Sequence, residues 1–348
     1  MRMKPFALSV LLISVACSTA TCKVWSARAR HSAGVNSESG VATTLNGKVQ
    51  AANVVYDDWF DSSRDRMVPV KIYFPAGGGS GSYPVVVFSH GLGGSRDGAQ
   101  YLGEYWSTHG YVCVFVQHVG SDSSVWQPVK DQGRAAVMER MQSAINGSTF
   151  SNRIGDIRFV LDEIERRNSA RGPLHGKFDV SRIAIAGHSY GANTSLTMVG
   201  QKYFLGQYGK DFADPRIKAA IYLSPPANLK GKTPQQVFGG ISVPGLLMTG
   251  TEDNAPIGST RAEERRLAYD GMTAPHQYLV TFIGGDHMIF NGATRRSEKP
   301  GDKQMIGEIE RVTTAFLDAY LRGDDSQQKW LDADASAFMS SDAKFERK

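Results

Sequence analysis

The sequence predicts an α/β protein with a mainly parallel sheet flanked by helices, and three observations carry that reading. Short continuous apolar runs recur at Val85 to Phe88, Tyr111 to Val116, Ile183 to Ala186, Ala219 to Leu223, Leu246 to Met248 and Tyr278 to Ile283. Strands covered by helices on both faces read this way, because neither face meets water. Between and after these runs, apolar residues fall at helical spacing, clearest in Ile154, Ile157, Val160, Leu161 and Ile164 and in Ile309, Val312, Phe316 and Tyr320. Ahead of them, Val54 to Trp59 and the alternation Val68, Val70, Ile72, Phe74 predict a lead-in hairpin, closed by the turn-rich stretch Ala76 to Ser82.

The first residues carry a different signal. Met-Arg-Met-Lys-Pro precedes an apolar run from Phe6 to Ala16, and small residues follow up to Cys22. That order is a secretory leader, and the run is shorter than the roughly 20 residues a bilayer span takes. Residues 1–20 are read as a signal peptide cut after Ala20; a lipidated Cys17 is the alternative, and membrane contact is expected only in that case. Residues 21–48, rich in Ser, Ala, Gly and Thr, read as a flexible linker, and residues 49–348 as the folded domain. Of the three cysteines, Cys17, Cys22 and Cys113, only the last falls in the domain, so an internal disulfide is not expected and stability must come from the core.

Charge excludes some functions. The net charge is +5, and setting aside Arg2 and Lys4 in the leader leaves +3, with no basic stripe longer than pairs such as Arg166-Arg167. No nucleic-acid partner is expected from so small a surplus. The histidines do not combine with cysteines or carboxylates at ligand spacing, so no metal or other cofactor is expected. Neither common glycine-rich phosphate-loop pattern occurs, which argues against nucleotide binding.

The chemistry concentrates in three places. Gly187-His188-Ser189-Tyr190-Gly191 follows one apolar run and precedes a helical stretch from Ala192 to Tyr203. In a strand-turn-helix context, glycines flanking the bend let the backbone hold Ser189 with its hydroxyl exposed as a nucleophile. An ordinary turn is the plainer reading, so partners must decide. A serine hydroxyl needs a base and the base needs an acid to orient it. His287, just past the last apolar run, is the base candidate; of the other seven histidines, His31 lies in the linker, His188 beside the nucleophile, His90, His109 and His118 flank early strands, and His175 and His276 precede strands instead of following them. Thr249-Gly250-Thr251-Glu252-Asp253 follows Leu246 to Met248, which makes Asp253 the leading acid and Glu252 the second, helix capping near Thr260 being the competing use. The third place is Phe88-Ser89-His90-Gly91-Leu92-Gly93-Gly94, a loop able to aim a backbone N–H at a developing oxyanion. The donors expected are the N–H groups of Leu92 and Tyr190. Two irregular stretches, Val119 to Asn146 and Tyr203 to Pro215, are assigned to the substrate pocket, with His118 and Trp126 as substrate-binding candidates. Tyr222, Pro225 and Pro226 are read as pocket shape.

Phe88 to Gly93, then His109-Gly110-Tyr111 opening the next strand and His118 ending it, then Gly187 to Gly191, together resemble the α/β-hydrolases related to platelet-activating-factor acetylhydrolase and to bacterial dienelactone hydrolase-like proteins. The resemblance covers Val54 to Gly323. It implies the α/β-hydrolase fold and a serine esterase with Ser189 as nucleophile and His287 as base, acting on a small-molecule or lipid-like ester. Two departures stand out. Dienelactone hydrolases carry a cysteine nucleophile where this chain has Ser189. The platelet-activating-factor group places its acid one strand earlier, where Tyr222-Leu223-Ser224-Pro225-Pro226 holds no carboxylate. A serine peptidase or amide hydrolase, and a secreted binding protein that kept the fold, are the alternative functions.

Overall fold

A computed structural model describes residues 37–45, 48–76, 81–205, 208–227, 229–292, 299–340 and 342–348. These belong to one structural unit, Val35–Lys348, and the other unit, Met1–Gly34, lies outside the described residues together with the leader.

Twelve strands occur among the described residues: β1 Ser37–Leu45, β2 Lys48–Asp61, β3 Arg66–Phe74, β4 Tyr83–Ser89, β5 Val112–Val116, β6 Phe178–His188, β7 Tyr203–Leu205, β8 Tyr208–Lys210, β9 Ile217–Leu223, β10 Gly245–Glu252, β11 Gln277–Asp286 and β12 Ala343–Arg347. The helices are α1 Gln100–Thr108, α2 Arg134–Ser143, α3 Gly147–Ser169, α4 Tyr190–Met198, α5 Pro234–Phe238, α6 Leu267–Gly271, α7 Asp302–Leu321, α8 Asp325–Ala333 and α9 Ala335–Phe338. Ten strands form one sheet in the order β1-β2-β3-β5-β4-β6-β9-β10-β11-β12. From β5 to β11 every pairing is parallel, whereas β1 to β3 at one side and β12 at the other are antiparallel. This is an α/β architecture, and each predicted apolar run falls within one of the six parallel strands or, for Tyr111, at its edge.

Alternate residues of each central strand feed two separate cores. Val86 and Phe88 of β4, with Cys113 and Phe115 of β5, pack beneath Leu102 and Trp106 of α1 and Ile309, Val312 and Phe316 of α7. Val85 and Val87, with Val112 and Val114, pack beneath Ile157, Val160, Leu161 and Ile164 of α3 and Leu196 of α4. A side-chain period of two places neighbours on opposite faces, so a run that is apolar throughout requires cover on both. Cys113 is a free, fully buried thiol in the first of these cores.

Two expectations need correction, and two gain detail. Ser37–Leu45 falls in the segment read as linker, but it pairs antiparallel with β2 as a strand. The predicted hairpin is β2 and β3, longer than expected. The helix after Ser189 ends at Met198 rather than Tyr203, because Gly200 adopts a φ of 119° that no helix can continue through. The stretch Val119 to Asn146 contains α2 and two short 3-10 segments, Ser123–Val125 and Gln127–Gln132. Among the described residues, no helix is long and apolar enough to cross a membrane.

Candidate active site

The carboxyl ends of β4, β6, β10 and β11 bring the singled-out residues together. At the end of β6 the chain turns sharply into α4, and Ser189 at the bend has φ 56° and ψ −117°. A non-glycine residue at such an angle is strained, and its neighbours must hold it there. They do so by contact. A Cβ on Gly187 would run into the Gly191 backbone, and one on Gly191 would overlap the Ser89 carbonyl, so both flanking positions require glycine. The Ser189 N–H donates to the Leu223 carbonyl at 2.8 Å, which ties the bend to the neighbouring strand.

His287 follows β11 with its Nε2 2.9 Å from Ser189 Oγ and its Nδ1 2.8 Å from Asp253 Oδ1. Asp253 is fully buried and His287 nearly so. The neighbouring carboxylates point elsewhere. Glu252 lies on the exposed side of the turn and meets Lys299 Nζ at 2.6 Å. Asp286, beside the histidine in sequence, accepts instead from the Met288 and Ile289 N–H groups.

Two side chains that the sequence reading missed hold this pair. Ser224, after β9, sits at φ 54° with its Oγ 2.7 Å from both Asp253 Oδ1 and His287 Nδ1. Arg265, also buried, has Nε 2.8 Å from Asp253 Oδ1 and Nη2 3.1 Å from His287 Nδ1, and its Nη1 donates to the Ser224 and Pro225 carbonyls. Thr249 Oγ1 donates to the other Asp253 oxygen at 2.9 Å. The carboxylate therefore has partners on both oxygens, which a buried charge requires. No local pattern marks Arg265; it is one of three arginines between Arg261 and Arg266.

The loop after β4 lies against the bend. Gly94 N–H donates to the Gly91 carbonyl at 3.1 Å, closing a turn with Leu92 and Gly93 at its centre. Gly93 N–H goes to the Ser121 carbonyl at 2.8 Å. Leu92 and Tyr190 line the same cavity as Ser189 and His287, and Tyr190 opens α4, where the first N–H groups of a helix have no partner within it. The cavity holds about 910 Å³ and is largely apolar, walled by Met138, Met141, Phe150, Tyr203, Phe204 and Leu229 among others. The two irregular stretches thus do reach it, through α2 and through β7.

Both substrate-binding candidates are corrected. His118 has no exposed surface: its Nε2 faces Ser89 Oγ at 2.9 Å and its Nδ1 faces Asp156 Oδ2 at 3.1 Å, so the ring is turned inward and fully engaged. Trp126 is not part of the cavity wall; its Nε1–H donates to the Gly93 carbonyl at 2.8 Å and braces the loop from outside. Among the described residues, no group of three or more His, Cys, Asp or Glu could hold a metal ion.

Buried histidines make the site region acid-sensitive. Burial lowers the pKa of His90, His118 and His188, that of His118 from 6.5 to about 4. Asp156, although buried, is held down from 3.8 to about 2 by hydrogen bonds from His118 and Arg66. An unfolded chain binds protons at His118 before the folded one does, so that stability is full above pH 6.5 and drains as pH falls to 4; the Asp156 share is present above 3.8 and drains towards 2. His118 alone accounts for about 3 kcal/mol. The urea midpoint is expected to drop steadily from pH 7 to pH 4, and a flat profile across that window would contradict the buried, neutral imidazoles.

The structure thus defines an α/β protein with serine, imidazole and carboxylate in mutual contact at the ends of three parallel strands. A sequence model of the family described as platelet-activating factor acetylhydrolase, isoform II, matches residues 35–152. The platelet-activating factor acetylhydrolase of Cavia porcellus is 22% identical over 298 residues, 76% of this chain and 63% of that protein. The protein of the same name from Canis lupus familiaris is 25% identical over 144 residues, 34% of this chain and 32% of that protein. The chain is similar to platelet-activating factor acetylhydrolases, as its motifs indicated, and it spans less than two thirds of the length of these relatives. The family match takes in the loop after β4 and stops short of Ser189.

Proposed function

We propose that the protein is an exported serine hydrolase of the α/β-hydrolase fold that cleaves carboxylic esters through an acyl-enzyme. The observation that carries this reading is the unbroken contact from Ser189 Oγ through both nitrogens of His287 to buried Asp253. In the first step His287 Nε2 takes the hydroxyl proton as Ser189 Oγ bonds to the ester carbon, and the carbonyl electrons move onto oxygen. The N–H groups of Leu92 and Tyr190 stabilise that oxyanion, and His287 then passes its proton to the departing alkoxide. Water repeats the sequence on the acyl-enzyme and regenerates Ser189. Asp253 fixes the imidazole with Nδ1–H towards it and supports the positive charge that develops.

The names of the similar proteins favour a short acyl ester of a lipid-like alcohol, and the apolar cavity suits an alkyl chain beside the reacting carbon. The basic, apolar and small-residue leader supports export, with Cys17 as the site of a lipid anchor if one is attached. Initial rates on p-nitrophenyl esters of two to twelve carbons, beside the matching anilides, test the reading. Ester turnover with a preference for short acyl groups is expected; faster anilide cleavage would make the protein an amidase, and no turnover without fluorophosphonate labelling of Ser189 would end the enzymatic reading.

A further inference from the structure

Beneath the loop after β4 lies a second cluster of serine, histidine and aspartate. Ser89, His118 and Asp156 have the contacts of a catalytic triad, yet none has exposed surface, so no substrate can reach them. What they surround is Arg153, 1% exposed, on the inward face of α3. The helix is started by Asn146, whose side chain accepts the Ser148 and Thr149 N–H groups at 3.0 Å and so fixes where Arg153 falls.

Every arm of this guanidinium reaches the apparatus expected to hold the oxyanion. Nη1 donates to the His90 carbonyl at 2.8 Å and to Ser89 Oγ at 3.2 Å, and Nη2 donates to the Gly91 carbonyl at 3.4 Å. Nε donates to Ser121 Oγ at 2.8 Å, and Ser121 in turn accepts the Gly93 N–H. The guanidinium carbon lies 4.4 Å from the centre of the Tyr190 ring. Among the described residues no carboxylate forms a direct ion pair with it, although the charges of Asp156 and Asp122 favour its cationic form; its hydrogen bonds go to carbonyl and hydroxyl oxygens, and Nη2 also lies 3.4 Å from His90 Nδ1. Burial lowers its pKa to about 10, which leaves it cationic at neutral pH.

The Gly91 carbonyl and the Leu92 N–H belong to one peptide plane, pointing in opposite directions. The oxygen is held by Gly94 N–H and by His90 Nδ1 at 2.6 Å as well as by Arg153, so the direction of the Leu92 N–H is set from behind. Donors on the oxygen also draw electron density through the peptide and strengthen the N–H as a donor. On the other side, the ring contact fixes the residue that carries the second N–H.

We propose that Arg153 is a positioning residue that aligns the Leu92 and Tyr190 N–H groups for the oxyanion, an inference that rests on the esterase reading above. Arg153→Lys keeps the charge and loses the fork that reaches several partners at once. It is expected to lower kcat by more than about tenfold, as a misaligned oxyanion donor does, with KM within about threefold of the parent. Affinity for benzeneboronic acid is expected to fall in parallel, because addition of Ser189 Oγ to boron, with its proton going to His287, makes a tetrahedral anion that needs the same two donors. A purely structural role would lower the melting temperature and leave kcat and boronate affinity alone. That result in a folded variant overturns the proposal. If the lysine variant does not fold, Ser121→Ala, which removes the Nε partner together with a 3.2 Å hydrogen bond to the His118 carbonyl, is judged by the same two quantities. Parent protein that neither turns over esters nor labels with fluorophosphonate would instead remove the esterase reading, and this inference with it.

Discussion

Ser189→Ala is expected to reduce ester turnover by about 10⁴- to 10⁶-fold while the melting temperature stays within a few degrees of the parent. The size follows from mechanism: with no oxygen to acylate, only binding and polarisation by the two N–H groups remain, and those retain a small residual rate. Folding should survive, since Ser189 is held by its backbone N–H to Leu223 and by the two glycines rather than by its hydroxyl. Among the described residues, the Oγ contact to His287 is the one side-chain hydrogen bond lost. Single-turnover kinetics on a p-nitrophenyl ester is the measurement, and an alanine variant retaining more than about a hundredth of the parent rate would mean that another group is the nucleophile.

Asp253→Asn comes second, at about 10³- to 10⁴-fold in kcat. An asparagine preserves the shape, but its amide nitrogen facing Nδ1 makes the imidazole put its proton on Nε2, where it cannot accept from Ser189. The neighbouring Glu252→Gln should change kcat by less than about twofold, because that side chain is turned to Lys299 and solvent. The paired variants separate the two carboxylates that the sequence leaves in competition, and a larger loss in the glutamine variant would reverse the assignment of the acid.

How much could be read beforehand depended on whether a signal was periodic or collective. The six parallel strands were legible because burial on two faces leaves an uninterrupted apolar run, and Ser189 and His287 because each follows such a run at a turn. Asp253 was legible for the same reason, with Glu252 beside it. Ser37–Leu45 was not, since a strand at the end of a sheet has no apolar run to announce it and its composition matched a linker. Arg153 and Asp156 were hidden differently. They sit on the same helical stripe as Ile157, Val160 and Leu161, but charges near such a stripe are normally turned to water, and it is partners brought from elsewhere, Ser89, Ser121 and the His90 carbonyl for Arg153 and His118, Arg64 and Arg66 for Asp156, that make burial tolerable. His118 misled for the converse reason: its place at the end of β5 fits a pocket residue, and only the position of Asp156 turns the ring inward.

The antiparallel strand Ala343–Arg347 has a bearing on the chain's life before it is complete. It covers the outer backbone of the strand that delivers His287, through pairs from Tyr278 to Phe282, and Lys348 just beyond it seals the end of α6 by donating to the Tyr269 and Met272 carbonyls. During synthesis, that strand emerges some sixty residues ahead of its cover. Until the cover arrives, an apolar ribbon with unused amide and carbonyl groups is available to any neighbouring nascent chain, and premature termination after α9 would make that exposure permanent.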